Sequence, residues 1–201
     1  MKIVVMTKST FFVEEDKIIT ALFDEGLDNL HLNKPGAAPM YSERLLTLLP
    51  DDIYSHTTVH EHFYLKDEYG LRGIHIDDSS TPLPNGYKGK FSRTCESIDE
   101  IHDARKKSEY VFLKDAFTTT GDDQTYKSKM VRLEQAANCG LIDKTVYAYG
   151  GVTIDNIKTA RDLGFGGVVI CSDLWTKFDI HNQLDYKELI LHFEKLRKSA
   201  T

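Results

Sequence analysis

The sequence has few of the features that mark secreted, membrane-bound or nucleic-acid-binding proteins. Its three cysteines are widely spaced, with no CxxC pair and no Cys/His ligand spacing, so neither a disulfide framework nor a zinc site is indicated. The N-terminal apolar run is too short for a signal peptide, and no run approaches the roughly 20 apolar residues that span a bilayer. A formal net charge of −6 argues against nucleic acid or an anionic membrane as the main partner. We therefore expect a cytoplasmic protein with reduced thiols.

Short apolar segments alternate with amphipathic segments along the whole chain. The apolar segments have the length of strands that are buried on both faces of a parallel sheet. They lie at residues 3–6, 29–32, 52–55, 73–76, 89–92, 110–113, 145–148 and 167–170. The amphipathic segments have the spacing and end signals of helices, and lie at residues 14–25, 97–107, 127–138, 153–163 and 184–198. Little helix is expected in segment 77–88, because it contains two prolines.

This alternation predicts an α/β fold with a parallel sheet covered by helices. About eight strand–helix units, without a long linker, favour one (β/α)8 TIM barrel domain over residues 1–201. An open doubly wound sheet is the alternative. Its dinucleotide-binding version carries GxGxxG after the first strand, where this chain has Thr7-Lys8-Ser9-Thr10.

Two turns near the carboxyl end carry small residues where predicted strands end. Gly150 and Gly151 follow the seventh strand, and a glycine pair lets backbone N–H groups approach an anion closely. Cys171 and Ser172 follow the eighth strand. In barrels the loops after these two strands often bind phosphate, so we expect a phosphorylated small molecule as ligand. The alternative for the glycine pair is a tight turn without a binding role.

Several stretches, in order and with fairly specific spacing, resemble the thiamine phosphate synthase/TenI family. The most similar ones are 146–152, 155–157 and 163–170, preceded by 30–35, 73–76 and 110–120. The resemblance covers nearly the whole chain, although no single motif is decisive.

The resemblance implies two branches of chemistry. Synthases join a hydroxymethylpyrimidine diphosphate to a thiazole phosphate and release pyrophosphate with Mg²⁺, whereas TenI-type tautomerases aromatise a thiazole carboxylate phosphate without a metal. By resemblance, Gly150, Gly151 and Ser172 hold the thiazole phosphate with Thr119, and Lys34 faces the pyrimidine diphosphate. A transferase of thiamine biosynthesis is the first expectation. A tautomerase and a non-catalytic protein that binds thiazole phosphate or thiamine phosphate are the alternatives, and a homo-oligomer is compatible with each.

Other positions depart from the family pattern. His31 and Asn33 stand where synthases carry Gln-x-Arg, and we expect them in the substrate pocket together with His56 and His75. His56 also replaces part of the Asn-Asp pair that ends the third strand, and an imidazole is a poor ligand for Mg²⁺.

Two adjacent carboxylates follow the fourth strand. Asp77 and Asp78 are therefore candidates for a metal site, although adjacent aspartates in a loop are often solvated turn residues.

Candidate groups for proton transfer and anchoring follow the fifth and sixth strands. Glu96 occupies the position of the family's histidine and is a candidate acid or base if burial raises its pKa, or otherwise an ordinary first-turn residue. Lys114 is either a catalytic or anchoring group or one half of a buried ion pair.

His60 and His62 fall on a predicted helix without a shared face, which predicts a surface role.

Overall fold

Eight parallel strands pair in chain order and close into a barrel, because β1 pairs with both β2 and β8. The computed structural model describes residues 1–78, 80–119, 121–179, 181–182 and 185–201. The strands are β1 Lys2–Met6, β2 Asn29–Leu32, β3 Thr57–Val59, β4 Gly73–Ile76, β5 Phe91–Cys95, β6 Val111–Leu113, β7 Val146–Tyr149 and β8 Gly167–Ile170. The predicted TIM barrel is confirmed. We call the end formed by the carboxyl ends of the strands the mouth.

Helices cover the outside of the barrel. They are α1 Glu15–Asp24, α2 Pro39–Leu48, α3 Tyr64–Tyr69, α4 Ile101–Lys107, α5 Asp123–Asn138, α6 Ile157–Asp162, α7 Ser172–Trp175 and α8 Lys187–Ala200, with 3₁₀ turns at Asp51–His56 and Ile98–Glu100. As the prolines predict, the described residues between β4 and β5 form no helix. In the described part of the chain, no helix combines the length and apolar character needed to cross a membrane.

Strands β2, β3, β4, β6 and β8 are buried at every residue and therefore on both faces. On β2, Leu30 and Leu32 pack outward against the helix layer, and on β4 Ile74 and Ile76 do the same. Because side chains alternate along a strand, the residues between them point into the barrel. The apolar part of this interior is Val4, Met6, Tyr110, Phe112, Tyr147 and Val169.

The prediction of the third strand at 52–55 is wrong. Those residues form the 3₁₀ turn Asp51–His56, and the strand follows it as Thr57–Val59. Ile53 is buried within the turn, so its apolar side chain gave a false strand signal. The two helices predicted from residues 127 and 153 begin at 123 and 157. The closing helix begins at Lys187, and residue 184 lies outside the described residues.

Candidate functional site

A pocket of about 240 Å³ lies where the loops after β7 and β8 meet, and we call it the phosphate pocket. Gly150 and Gly151 line it with φ angles of 88° and 68°, which side chains rarely tolerate. A Cβ atom on Gly151 would lie 2.4 Å from the backbone carbonyl of Phe117, so this turn requires glycine. Within the described residues, the N–H groups of Gly151 and Val152 have no hydrogen-bond acceptor. These two donors are therefore available to an anion.

The opposite wall of the phosphate pocket is the loop from β8 into α7. Cys171 and Ser172 line it, and α7 begins at Ser172, where barrels commonly place a short helix beside a phosphate. The predicted residues of both loops therefore meet in one pocket. Thr119 is exposed and does not line it. Its neighbour Thr118 lies against the glycine turn, with its hydroxyl 3.0 Å from where a Cβ of Gly150 would stand.

Glu96 and Lys114 form an ion pair with each other at the mouth. Lys114 Nζ donates to both carboxylate oxygens of Glu96, at 3.0 and 2.9 Å, and this bond raises the pKa of Lys114. The Lys114 and Glu96 side chains are 42% and 48% exposed, so the burial expected for Glu96 as a base is absent and the pair is not buried. Lys114 lines both the phosphate pocket and a neighbouring cleft of about 560 Å³ against α5, which we call the α5 cleft.

Lys34 does not face an open diphosphate site. Its side chain is 1% exposed, and its Nζ lies 2.5 Å from Glu15 Oε1 and 3.0 Å from the carbonyl oxygen of Thr10. The ammonium also lies 4.3 Å from the ring centroid of Phe11. Burial lowers the pKa of Lys34 and raises the pKa of Glu15, while their mutual attraction opposes both shifts. The pair ties the loop after β1 to the end of β2.

Three buried histidines, His31, His60 and His75, meet inside the barrel beneath the mouth and form the histidine cluster. His31 Nδ1 lies 2.8 Å from His60 Nε2, and the rings of His60 and His75 stack with centroids 4.4 Å apart. Burial holds the pKa values of His31 and His75 well below the usual value, so both imidazoles are neutral at pH 7. The predicted surface role of His60 is wrong, because His60 is buried and precedes α3, which begins only at Tyr64.

A hydrogen-bonded chain runs through the histidine cluster to the mouth. Asp77 Oδ1 lies 2.6 Å from His60 Nδ1, and His31 Nε2 lies 2.8 Å from the hydroxyl of Tyr110, which accepts from the amide of Asn29. With His31 neutral and a carboxylate that only accepts at one end, we assign the direction of the chain from its geometry. In this assignment His60 Nδ1–H donates to Asp77, His31 Nδ1–H donates to His60, and the Tyr110 hydroxyl donates to His31.

The remaining member of the cluster is fixed by hydroxyl groups. His75 Nδ1 lies 2.7 Å from Ser92 Oγ, and His75 Nε2 lies 2.8 Å from Thr94 Oγ1. His31 and His75 thus belong to the barrel interior below the substrate pocket predicted for them. Asn33 is half-buried at the end of β2, where its backbone oxygen accepts from the hydroxyl of Thr7.

Asp77 and Asp78 do not fit a two-carboxylate magnesium site. The carboxylate of Asp78 accepts four hydrogen bonds from the backbone and hydroxyl groups of Ser80 and Thr81, which lower its pKa. Asp78 is therefore a turn residue. The Asp77 side chain is 57% exposed, but one of its oxygens is held by His60, so the pair leaves a single carboxylate oxygen for a hard cation.

His56 lies at the end of the barrel opposite the mouth. It precedes β3, and its Nδ1 lies 3.3 Å from the carbonyl oxygen of Asp28, which precedes β2. The substrate-pocket prediction for His56 depended on the misplaced third strand.

His62 is half-buried near the mouth, and its Nε2 contacts the carbonyl oxygen of Ala37 at 2.9 Å.

Three residues that shape the site were not predicted from the sequence, namely Glu15, Tyr110 and Thr118. Glu15 and Tyr110 act through partners 19 and 79 residues away, and no local pattern reports such contacts. His60 had a usable signal, because it directly follows β3 and the correct strand boundary would have placed it at the mouth.

Comparison with known proteins identifies structural relatives. A crystal structure of thiamine phosphate pyrophosphorylase from Bacteroides thetaiotaomicron is 46% identical, with TM-score 0.89, and the match covers 100% of this chain and 98% of that one. Thiamine phosphate pyrophosphorylase from Pyrococcus furiosus is 15% identical, with TM-score 0.75 over 99% of this chain and 95% of that one. A 3-hexulose-6-phosphate synthase from Salmonella typhimurium is 11% identical, with TM-score 0.63 and full coverage of both. The last two show the fold alone. Neither a protein-family model nor a curated protein matches the chain.

The glycine turn of the phosphate pocket can be tested by Gly151→Ala. The added methyl group meets the Phe117 carbonyl, so we expect a loss of about 1–3 kcal/mol in the free energy of unfolding and at least about tenfold weaker phosphate binding. Gly36→Ala is the matched control, because Gly36 also has a positive φ but its added methyl group meets open space. Calorimetric titration with inorganic phosphate measures binding. Equal binding by the two variants would contradict the pocket assignment.

The Lys34–Glu15 pair can be tested by chemical unfolding. Lys34→Met leaves a buried carboxylate without its cation, so we expect a loss of about 3–5 kcal/mol in the free energy of unfolding. Adding Glu15→Leu should recover most of that loss. Lys17→Met, which removes an exposed lysine paired with Glu14, serves as control and should change little. A loss for Lys34→Met no larger than that of the control would refute a buried ion pair.

Proposed function

This chain belongs to the thiamine phosphate pyrophosphorylase family, and from that membership we propose that it joins a hydroxymethylpyrimidine diphosphate to a thiazole phosphate. The phosphate pocket is the observation that carries the proposal. Its two free backbone donors, its glycine turn and the adjoining short helix fit one phosphate group of a small substrate.

The mouth has room for both substrates around the phosphate pocket. A cleft of about 640 Å³ between the loops after β1 and β8 shares Cys171 and Ser172 with the pocket and includes Phe12 and Trp175 in its walls. We assign the thiazole ring to this aromatic side. The α5 cleft adjoins the pocket at Lys114, and its lining contains three cations, Lys114, Lys129 and Arg132, beside three carboxylates, Glu96, Asp115 and Asp122. We assign the diphosphate to the Lys114 end of this cleft, next to the phosphate pocket.

In the proposed reaction the pyrimidine diphosphate ionises first. Its C–O bond to the diphosphate breaks with the electron pair leaving on pyrophosphate, and the thiazole nitrogen then forms a C–N bond to the methylene carbon of the pyrimidine. Lys114 lies between the α5 cleft and the phosphate pocket, where its ammonium stabilises the charge that develops on the leaving group. Magnesium supplies charge neutralisation in the family by resemblance, but the Asp77–Asp78 pair does not fit it and no step above depends on it.

Non-catalytic binding of thiazole phosphate is the second candidate function. It is favoured by the pairing of Lys114 with Glu96 and by the burial of Lys34, because both cations already have carboxylate partners. The same pairing disfavours a tautomerase that uses Glu96 as its base.

The proposed reaction is tested by following thiamine phosphate formation from both purified substrates in buffer containing Mg²⁺. We expect turnover by the intact protein and a decrease of about 100-fold in kcat/KM for Lys114→Ala, since a charge stabilising the leaving group is lost. Lys106→Ala, which removes an exposed lysine on α4, is the control and should retain full activity. Folded wild-type protein that binds thiazole phosphate without turnover would overturn the synthase and support the binding protein.

Ligand occupancy of the phosphate pocket can be tested independently of turnover by thiol alkylation and mass spectrometry. Cys139 is exposed and should react first, whereas burial raises the pKa of Cys171 and raises that of Cys95 to about 12. Thiazole phosphate should slow the labelling of Cys171, which lines the pocket, and leave Cys139 unchanged. Unprotected Cys171 at saturating ligand would place the phosphate elsewhere.

A further inference from the structure

The histidine cluster takes no part in the proposed reaction, yet its geometry is that of a ligand set. One ring nitrogen from each of His31, His60 and His75 lies within 4.8 Å of the others. We propose that the cluster binds one divalent transition-metal ion with a preference for nitrogen ligands, and that Zn²⁺ fits it best. This inference is independent of the synthase proposal.

In His31 and His60 the outer ring nitrogen is already held by an oxygen partner, whereas both ring nitrogens of His75 contact hydroxyl groups, so an ion takes the place of one hydroxyl there. His60 Nδ1 contacts Asp77 Oδ1 at 2.6 Å, and His31 Nε2 contacts the Tyr110 hydroxyl at 2.8 Å. Histidines that bind metals are usually oriented in this way, with the second ring nitrogen donating to a carboxylate or another oxygen. The inner nitrogens, His31 Nδ1 and His60 Nε2, then face each other at 2.8 Å.

The barrel fixes the spacing of the three rings. His31 lies on β2, His60 directly follows β3 and His75 lies on β4, so the ligands come from three successive strands. All three residues are almost completely buried, which limits competing contacts with water. Three neutral imidazoles suit Zn²⁺ and neighbouring first-row ions far better than Mg²⁺, and they leave one tetrahedral position for another ligand.

Metal binding requires a proton to move within His31. In the empty cluster its Nδ1–H donates to His60 Nε2, so the Nδ1 lone pair is unavailable. On binding, the proton leaves Nδ1 and Nε2 becomes protonated, donating to the oxygen of Tyr110. The Tyr110 hydroxyl hydrogen then turns toward the neighbouring hydroxyl of Ser92 or Thr58. His60 keeps its Nδ1–H on Asp77, and His31 exchanges one N–H for the other without releasing a proton.

The test is calorimetric titration of chelator-treated, dialysed protein with Zn²⁺ alone, and with Co²⁺ for its visible absorption. We expect one ion per chain and a tetrahedral Co²⁺ spectrum. His60→Gln and His75→Gln should weaken binding at least 100-fold, whereas His102→Gln, a substitution on the exposed face of α4, should not change it. Asp77→Asn removes only the outer partner of His60 and should weaken binding about tenfold to 100-fold.

Two measurements on the wild-type protein, the Zn²⁺ stoichiometry and the tautomer of His31, keep the test decisive even if a histidine variant fails to fold. The ¹⁵N NMR spectrum of the wild-type imidazoles should show His31 changing from the Nδ1–H to the Nε2–H form when Zn²⁺ is added, while His60 stays in the Nδ1–H form. Wild-type protein that binds no stoichiometric Zn²⁺, or that binds it without a change at His31, would overturn the proposal and leave the cluster as a hydrogen-bonded core. Zn²⁺ binding that is undiminished both in Asp77→Asn and in a folded His60→Gln variant would also overturn the proposal.

Discussion

Closure of the sheet, with β1 paired to β8, is the constraint on which the rest of the structure depends. A closed parallel ladder brings the carboxyl ends of all eight strands to one mouth, so loops far apart in the chain become neighbours. Closure therefore places Gly151, Ser172 and Lys114 around a single pocket. It also creates an enclosed interior, in which every inward side chain must find a partner inside the barrel.

That interior is unusually polar for a barrel of this size. Branched apolar residues dominate the inside of most such barrels, but here His31, His75, Asn29 and Tyr110 share the space with Phe112. Burying these groups is tolerated because each contacts a hydrogen-bonding partner, in a network that runs from the bottom of the barrel to Asp77 at the mouth. A network of this kind specifies one arrangement of side chains, since removing any member leaves its neighbour unpaired.

Sequence patterns predicted the elements whose structure depends on residues close together in the chain. The strands β2, β4 and β8 match their predicted runs residue for residue, because their outward positions carry leucine, isoleucine or valine. β3 was missed because it is only three residues long and begins with two threonines. The partners of Lys34 and Lys114 were equally out of reach, since Glu15 and Glu96 lie 19 and 18 residues away in the chain. Gly150 and Gly151 could be found because their role rests on backbone conformation, which the residue type itself reveals.

The glycine turn divides the mouth into a part that tolerates no side chain and a part that does. Its fit against the Phe117 backbone depends on the absence of a side chain, so point substitution cannot retune it gradually. The other walls of the mouth are less constrained, since the side chains of Glu96 and Lys114 are about half exposed and can be replaced without moving the backbone. One wall of the pocket is therefore fixed in shape, while the charge and size of the opposite side can change.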